Sequence, residues 1–104
     1  MKKYNATQKA LIRKTWKAWA RYAHLCWDIA AGYEEGTRTS KELYDLCRED
    51  RECYAALSEW YVLNDLCEEL KIEFVTATEI DEETKKASEE HDMYNEMFWK
   101  HCLR

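Results

Sequence analysis

The sequence contains no proline and only two glycines among its 104 residues. Hairpins and tight turns depend on these two residue types, so their scarcity favours long helices over an all-β fold. Apolar residues make up 46% of the chain and aromatic residues 13%, far more than a disordered acidic chain carries. We therefore predict that residues 1–104 form a single all-α domain around one hydrophobic core.

The first helix is marked at both ends. Asn5 is a suitable N-cap, Gln8 completes a capping box three residues later, and Gly32 provides a stop. These signals predict a helix over about residues 6–31. Its apolar residues share one arc of the helix, and they are Leu11, Ile12, Thr15, Ala18, Trp19, Tyr22, Ala23, Cys26, Ile29 and Ala30.

A loop and a break separate the next two helices. Residues 32–39 hold both glycines, and Thr39 opens a second capping box, which predicts a helix from about residue 40. Five consecutive charges at 48–52 interrupt its apolar stripe, and Asp50 can cap a third helix that runs to about residue 71. The residues of this third helix that keep inward spacing are Cys53, Ala56, Leu57, Trp60, Leu63, Cys67 and Leu70.

The segment 72–80 is rich in β-branched residues, but no second segment of the sequence can pair with it as a strand. We predict an extended connector there, with a strand shared between two copies of the chain as the alternative. Asp81 then opens a last helix whose acids lie at its start and whose bases lie at its end, as the helix dipole favours. Because the loops are short, the predicted fold is a compact antiparallel bundle of three long helices plus one short helix.

The charges are divided unevenly along the chain. Residues 1–21 contain seven Lys or Arg and no acid, whereas the remaining residues contain nine bases and all 21 acids. Cations near the N-terminus of a helix oppose the helix dipole, so something beyond the first helix must compensate them. Either the acidic part of the same chain or an anionic partner can do so, and the excess of acids favours the former.

Two candidate binding surfaces follow from these charges. A basic face of the first helix, flanked by tryptophans, resembles a surface for phosphates and bases or for an acidic groove; it comprises Lys9, Arg13, Lys14, Trp16, Lys17, Arg21 and Trp27. An acidic face on the later helices could engage the nucleic-acid-binding groove of another protein; it comprises Glu59, Asp65, Glu69, Glu73, Glu89, Asp92 and Glu96.

The spacing of the cysteines and histidines does not predict a metal centre. The sequence has no CxxC or HxxxH, and Cys47 and Cys53 are six residues apart. No histidine is preceded by the Glu-x-x pattern of di-iron bundles, and neither glycine belongs to a phosphate-binding loop. We interpret the five cysteines as reduced, packed thiols and predict no metal and no cofactor. A site assembled from distant helices would leave no local signal.

The sequence offers no nucleophile motif, and adjacent acids on a helix point apart, so we predict that the protein is not an enzyme. An enzyme stays a third interpretation, which would need Glu89, His91, Asp92 or His101 to line a closed pocket.

A high load of Trp and Tyr in a small chain is typical of a protein interface. We predict a small non-enzymatic inhibitor or adaptor that occludes a surface of a larger protein, with a homodimer as one form in which it acts. Small acidic chains of this composition are common among phage and mobile-element proteins that act on host machinery. The expectation of such an origin rests on composition alone. The alternative is a nucleic-acid-binding protein that uses the first helix. No apolar run or leader-like segment is present, so we expect no membrane partner and a cytoplasmic location.

Overall fold

The computed structural model describes residues 4–72 and 81–103. Its four helices are α1 (Ala6–Ala31), α2 (Ser40–Glu49), α3 (Arg51–Glu69) and α4 (Glu82–His101), and no strand occurs in the two described ranges. The predicted all-α class is confirmed for these ranges, with three long helices and one short one. Apart from Ile72, which is buried, the predicted connector lies outside the described residues. No helix in the described parts has the length and apolar character needed to cross a membrane.

Side-chain caps fix the starts of the helices. The Asn5 side chain accepts a hydrogen bond from the Gln8 backbone N–H, and the Gln8 side chain accepts from the Asn5 N–H, so the predicted capping box is present. At α2 only half of the box forms: the Thr39 hydroxyl accepts from the backbone N–H of Glu42, but the Glu42 carboxylate contacts that hydroxyl rather than the Thr39 N–H. Asp50 caps α3 as predicted, accepting from a backbone N–H.

The end of α3 forms a Schellman motif with an unusual residue in it. The Ile72 N–H donates to the Cys67 carbonyl at 2.8 Å and the Lys71 N–H donates to the Glu68 carbonyl at 3.0 Å. Lys71 occupies the left-handed position of this motif, with φ 56°, where glycine is the usual residue because it has no Cβ. The motif turns the chain so that Ile72 packs into the core.

Helix α1 is the centre of the fold, and the other helices pack on it. Contacts between α1 and α3 join Arg21 to Glu52 and Thr15 to Cys67, so the two helices run antiparallel. Contacts between α1 and α4 instead join Arg13 to Asp81, the N-cap of α4, and Trp27 to Tyr94 in the second half of α4. Helix α4 therefore runs in the same direction as α1 and opposite to α3, so each long helix runs opposite to the long helix before it in the chain.

Because α3 and α4 both cover α1, the buried side of α1 is wider than one narrow stripe. It includes Trp16 and Ala20 in addition to predicted positions such as Ile12, Cys26 and Ala30. Two groups of buried residues lie along α1, and ring contacts of Trp19 with Trp60 and His91 occupy the stretch between them. One group contains Ile12, Trp16, Cys67, Ile72 and Ala87. The other contains Cys26, Ala30, Leu43, Cys47, Cys53, Phe98 and Cys102.

The loop between α1 and α2 is held by the end of α4. The Gly36 N–H donates to the His101 carbonyl at 3.0 Å, and the Leu103 N–H donates to the Arg38 carbonyl at 2.7 Å. Gly36 has φ 70°, a conformation that side chains disfavour. A ring nitrogen of His101 also bonds the Tyr33 carbonyl. These bonds fix where α2 begins relative to α1 and α4.

Candidate functional site

Acids of the same chain neutralise three of the five cations of the predicted basic face. The Arg13 guanidinium lies 2.6 Å from Asp81 and 3.2 Å from Glu83, and Lys17 lies 3.6 Å from Glu83. Arg21 lies 3.4 Å from Glu52, in the first turn of α3. The cations of α1 thus compensate the acids that open α3 and α4, which explains why they are misplaced for the dipole of α1 itself.

The rest of the predicted basic face does not form one surface. Lys9 and Lys14 are exposed and make no ion pair with any described residue. Trp16 is buried, its ring centroid 5.1 Å from that of Trp19, so the expectation that it flanks the exposed cations is corrected. Trp27 is half-buried against Tyr94. A base or phosphate approaching α1 would meet two free lysines and several neutralised pairs.

The predicted acidic face is divided between two helices. Glu89, Asp92 and Glu96 are exposed on α4, where Asp92 contacts the ring of the buried His91 at 2.9 Å and Glu96 pairs with Lys100 at 3.4 Å. Glu73 lies outside the described residues. Helices α3 and α4 pack on α1 far more than on each other, so the α4 acids are not gathered beside those of α3.

The acids of α3 behave differently. Glu59, Asp65 and Glu69 are exposed, and no ion pair joins any of them to another described residue. The sequence between Arg51 and Lys71 contains no base that could neutralise them within the helix. Their negative charge is therefore available to a partner.

The same side of α3 exposes large apolar residues, and we call it the outer α3 face. Its five apolar members are between 41% and 61% exposed: Tyr54, Tyr61, Val62, Leu66 and Leu70. The other large apolar residues exposed to this degree in the described ranges are scattered, two on α4 and one after it. A set of exposed large apolar residues on one side of a helix, interleaved with acids, marks an interaction site more often than a solvated helix face.

The spacing within the outer α3 face follows the helix. Val62, Leu66 and Leu70 recur every four residues and line up along one edge, while Tyr54 and Tyr61, seven residues apart, line up along the other. Asp65 and Glu69 fall in the arc between these two edges. The opposite side of α3, which carries Cys53, Ala56 and Cys67, is the side that packs into the core.

The sequence pattern identified the acids of this face but missed its apolar members. Leu70 was expected to point inward and is instead 54% exposed. The helix ends at Glu69, and after the Schellman motif Ile72 rather than Leu70 packs into the core. Tyr54, Tyr61 and Val62 lie outside the set of α3 residues whose spacing predicts that they face the core. One large apolar residue outside that set is a weak sign of an interaction surface, but three on one helix are a stronger sign.

The residues named for an enzymatic interpretation are not gathered at one pocket. His91 lines a cavity of about 310 Å³ beside Tyr22 and Cys26. Glu89 and Asp92 are exposed, and neither they nor His101 lines that cavity. The arrangement required for acid and base catalysis is therefore incomplete among the described residues.

No protein-family model, no curated protein and no solved structure matches this chain.

Proposed function

We propose that this protein is a non-enzymatic binding module that acts by laying the outer α3 face into an apolar groove of a larger, basic protein. The observation that carries the proposal is the set of five exposed apolar residues on one side of a helix whose other side is buried in the core. Helices recognised in grooves present apolar anchors at this spacing, while acids beside them select the partner's charge. By covering that groove, the module would act as an inhibitor or adaptor.

Charge argues for a basic partner rather than a second copy of the chain. Two copies joined through the outer α3 face would bring Glu59, Asp65 and Glu69 of one near those of the other, with no base between Arg51 and Lys71 to offset them. Like charges juxtaposed in an interface disfavour association. A groove whose bases face Asp65 and Glu69 removes this repulsion. The partner's own ligand, whether an acidic peptide or a nucleic acid, would then compete with this protein.

The available cations give nucleic-acid binding less support. Three of the basic residues of α1 already contact acids of α3 or α4, and Trp16 is buried. Affinity for phosphate backbones grows with the number of cations free to neutralise phosphates.

The proposal is tested by placing a photo-cross-linking residue at position 62 and, as a matched control, at position 93. Val62 and Met93 are both exposed apolar residues, 61% and 47% accessible, on different helices. In cells of the source organism we expect position 62 to yield a discrete adduct with a basic protein, and position 93 to yield none. The same adducts from both positions, or an adduct only with the chain itself, would contradict the proposal.

A charge variant provides the second arm of the same experiment. Reversing Asp65 and Glu69 to lysine should abolish the adduct from position 62, because both acids lie between the apolar edges. An undiminished adduct from the reversed variant would show that charge does not select the partner.

A further inference from the structure

Three of the five cysteines meet inside the fold. The sulfur atoms of Cys26, Cys47 and Cys53 all lie within 4.8 Å of one another, and those of Cys26 and Cys53 are 3.7 Å apart. All three residues are at most 2% exposed. We call them the thiol cluster.

A break between two helices creates the cluster. On one continuous helix, residues six apart would point about 120° away from each other. Here Cys47 lies at the end of α2 and Cys53 at the start of α3, and Asp50 separates the two helices. The Asp50 carboxylate accepts from the Cys53 N–H at 2.9 Å, which holds the first turn of α3 in place. Cys26 of α1 completes the set.

The other two buried cysteines differ from the cluster because each contacts an oxygen atom and neither has another cysteine sulfur within hydrogen-bond distance among the described residues. The Cys67 sulfur lies 3.5 Å from the Thr15 hydroxyl, and the Cys102 thiol donates to the Phe98 carbonyl at 3.3 Å. Such contacts are typical of thiols that serve as small packing residues. In the thiol cluster, by contrast, the sulfurs face one another.

We propose that Cys26, Cys47 and Cys53 form a binding site for one thiophilic metal ion, Zn²⁺ or Cu⁺. Three thiolates bound to one Zn²⁺ at about 2.3 Å lie roughly 3.8 Å from one another, so the Cys26–Cys53 pair already has the required separation. The Cys47 sulfur needs to move by no more than roughly 1 Å to reach the same separation from the other two sulfurs. Soft sulfur ligands select these two ions over Mg²⁺ or Ca²⁺.

A cavity gives an ion access to the site. Cys26 lines a space of about 310 Å³ between α1 and α4, together with Tyr22, Tyr44 and Asn95. Zinc sites with three protein ligands leave a fourth position for water or another oxygen ligand. The cavity beside Cys26 can hold that fourth ligand. A Cu⁺ ion needs no ligand beyond the three sulfur atoms.

Metal binding by the thiol cluster depends on pH. Hydrogen bonds from Cys47 and Cys53 lower the pKa of the Cys26 thiol. Metal ions bind cysteine as the thiolate, so binding releases the protons that the three sulfurs carry, and affinity should rise with pH below neutrality.

The test titrates the full-length, fully reduced chain with Co²⁺ and Cd²⁺ as spectroscopic probes, and with Zn²⁺ and Cu⁺ in competition with chromophoric chelators. We expect one ion per chain, with a thiolate-to-metal charge-transfer band. The separate Zn²⁺ and Cu⁺ titrations identify which ion the site prefers. Both ions failing to compete with the chelators would overturn the proposal.

Cysteine variants locate the site. Cys47→Ser should lower the affinity at least 100-fold, while Cys67→Ser, which changes a buried cysteine outside the cluster, should leave it unchanged. Should Cys47→Ser fail to fold by circular dichroism, Cys53→Ser replaces it. Equal loss in the Cys67→Ser control, or a Cys26–Cys53 disulfide in a chain that binds no ion, would contradict a metal site.

Discussion

Asp81 caps α4 and also pairs with the basic side of α1. Substitutions at this position therefore distinguish two contributions to stability, that of the helix cap and that of the ion pair. Its side chain accepts the Thr84 backbone N–H at 2.7 Å, which makes it the N-cap of α4. It also accepts from the Arg13 guanidinium at 2.6 Å. Loss of an N-cap costs about 0.5–2 kcal/mol, and an exposed ion pair contributes about 0–1 kcal/mol after solvent screening.

Asp81→Ala removes both contributions, so the free energy of unfolding should fall by about 0.5–3 kcal/mol. Asp81→Asn keeps the cap, because asparagine caps helices as well as aspartate does, and should cost no more than about 1 kcal/mol. Urea unfolding followed by tryptophan fluorescence measures both values. Asp45→Ala is the control, since Asp45 pairs only with exposed bases within α2 at 3.8 Å or more.

The same carboxylate makes stability depend on pH. The Arg13 hydrogen bond, followed by that of the Thr84 N–H, holds the pKa of Asp81 far below its usual range. Because the pKa is lower in the folded chain, the contribution is complete above the unfolded value of about 3.9 and is lost as the pH falls below it. Asp81→Asn should therefore flatten this part of the acid-unfolding curve. Two results would refute the conclusion that cations of α1 compensate the acids at the start of α4. One is equal stability of Asp81→Ala, Asp81→Asn and wild type, and the other is an acid-unfolding curve that Asp81→Asn leaves unchanged.

Three further predictions concern the core, the helix ends and the alternative function. Phe98→Ala, at a position 1% exposed, should lower the free energy of unfolding by about 3–5 kcal/mol in urea denaturation; a cost under about 1 kcal/mol would contradict the packing of α4 on α1. Lys71→Gly should raise the melting temperature slightly, because φ 56° is strained for lysine, and a lower melting temperature would argue against the Schellman turn. In a mobility-shift assay at physiological salt, the chain should not retard single- or double-stranded nucleic acid, whereas a steeply salt-dependent shift would revive the alternative function.

The helix boundaries could be predicted because they depend on local chemistry. Asn5, Thr39, Asp50 and Asp81 each accept a backbone N–H at a helix start, and the sequence shows such residues directly. The packing partner of α4 could not be predicted in the same way. Helix α4 packs on α1, and contacts such as Arg13 with Asp81 join residues far apart in the sequence, about which capping signals carry no information.

The candidate sites were only partly predictable for a related reason. The charges of Asp65 and Glu69 are evident in the sequence, but exposure of Val62 depends on which side of α3 packs against α1. The thiol cluster combines Cys47 and Cys53, whose spacing on a single helix excludes a shared site, with Cys26 from another helix. Contacts between distant elements leave no periodic signal along the chain.

The most direct test of the outer α3 face compares three forms of the protein as tagged baits, with captured proteins quantified by isotope-labelled mass spectrometry. The forms are wild type, the double variant Val62→Ser with Leu66→Ser, and the control Met93→Ser. All three changes are at exposed positions, so the variants should fold alike. Loss of two apolar anchors should weaken binding by roughly ten-fold or more. We predict that one basic protein captured by wild type and by Met93→Ser is lost from the double variant. Capture of that protein in equal amounts by all three forms would contradict the central claim.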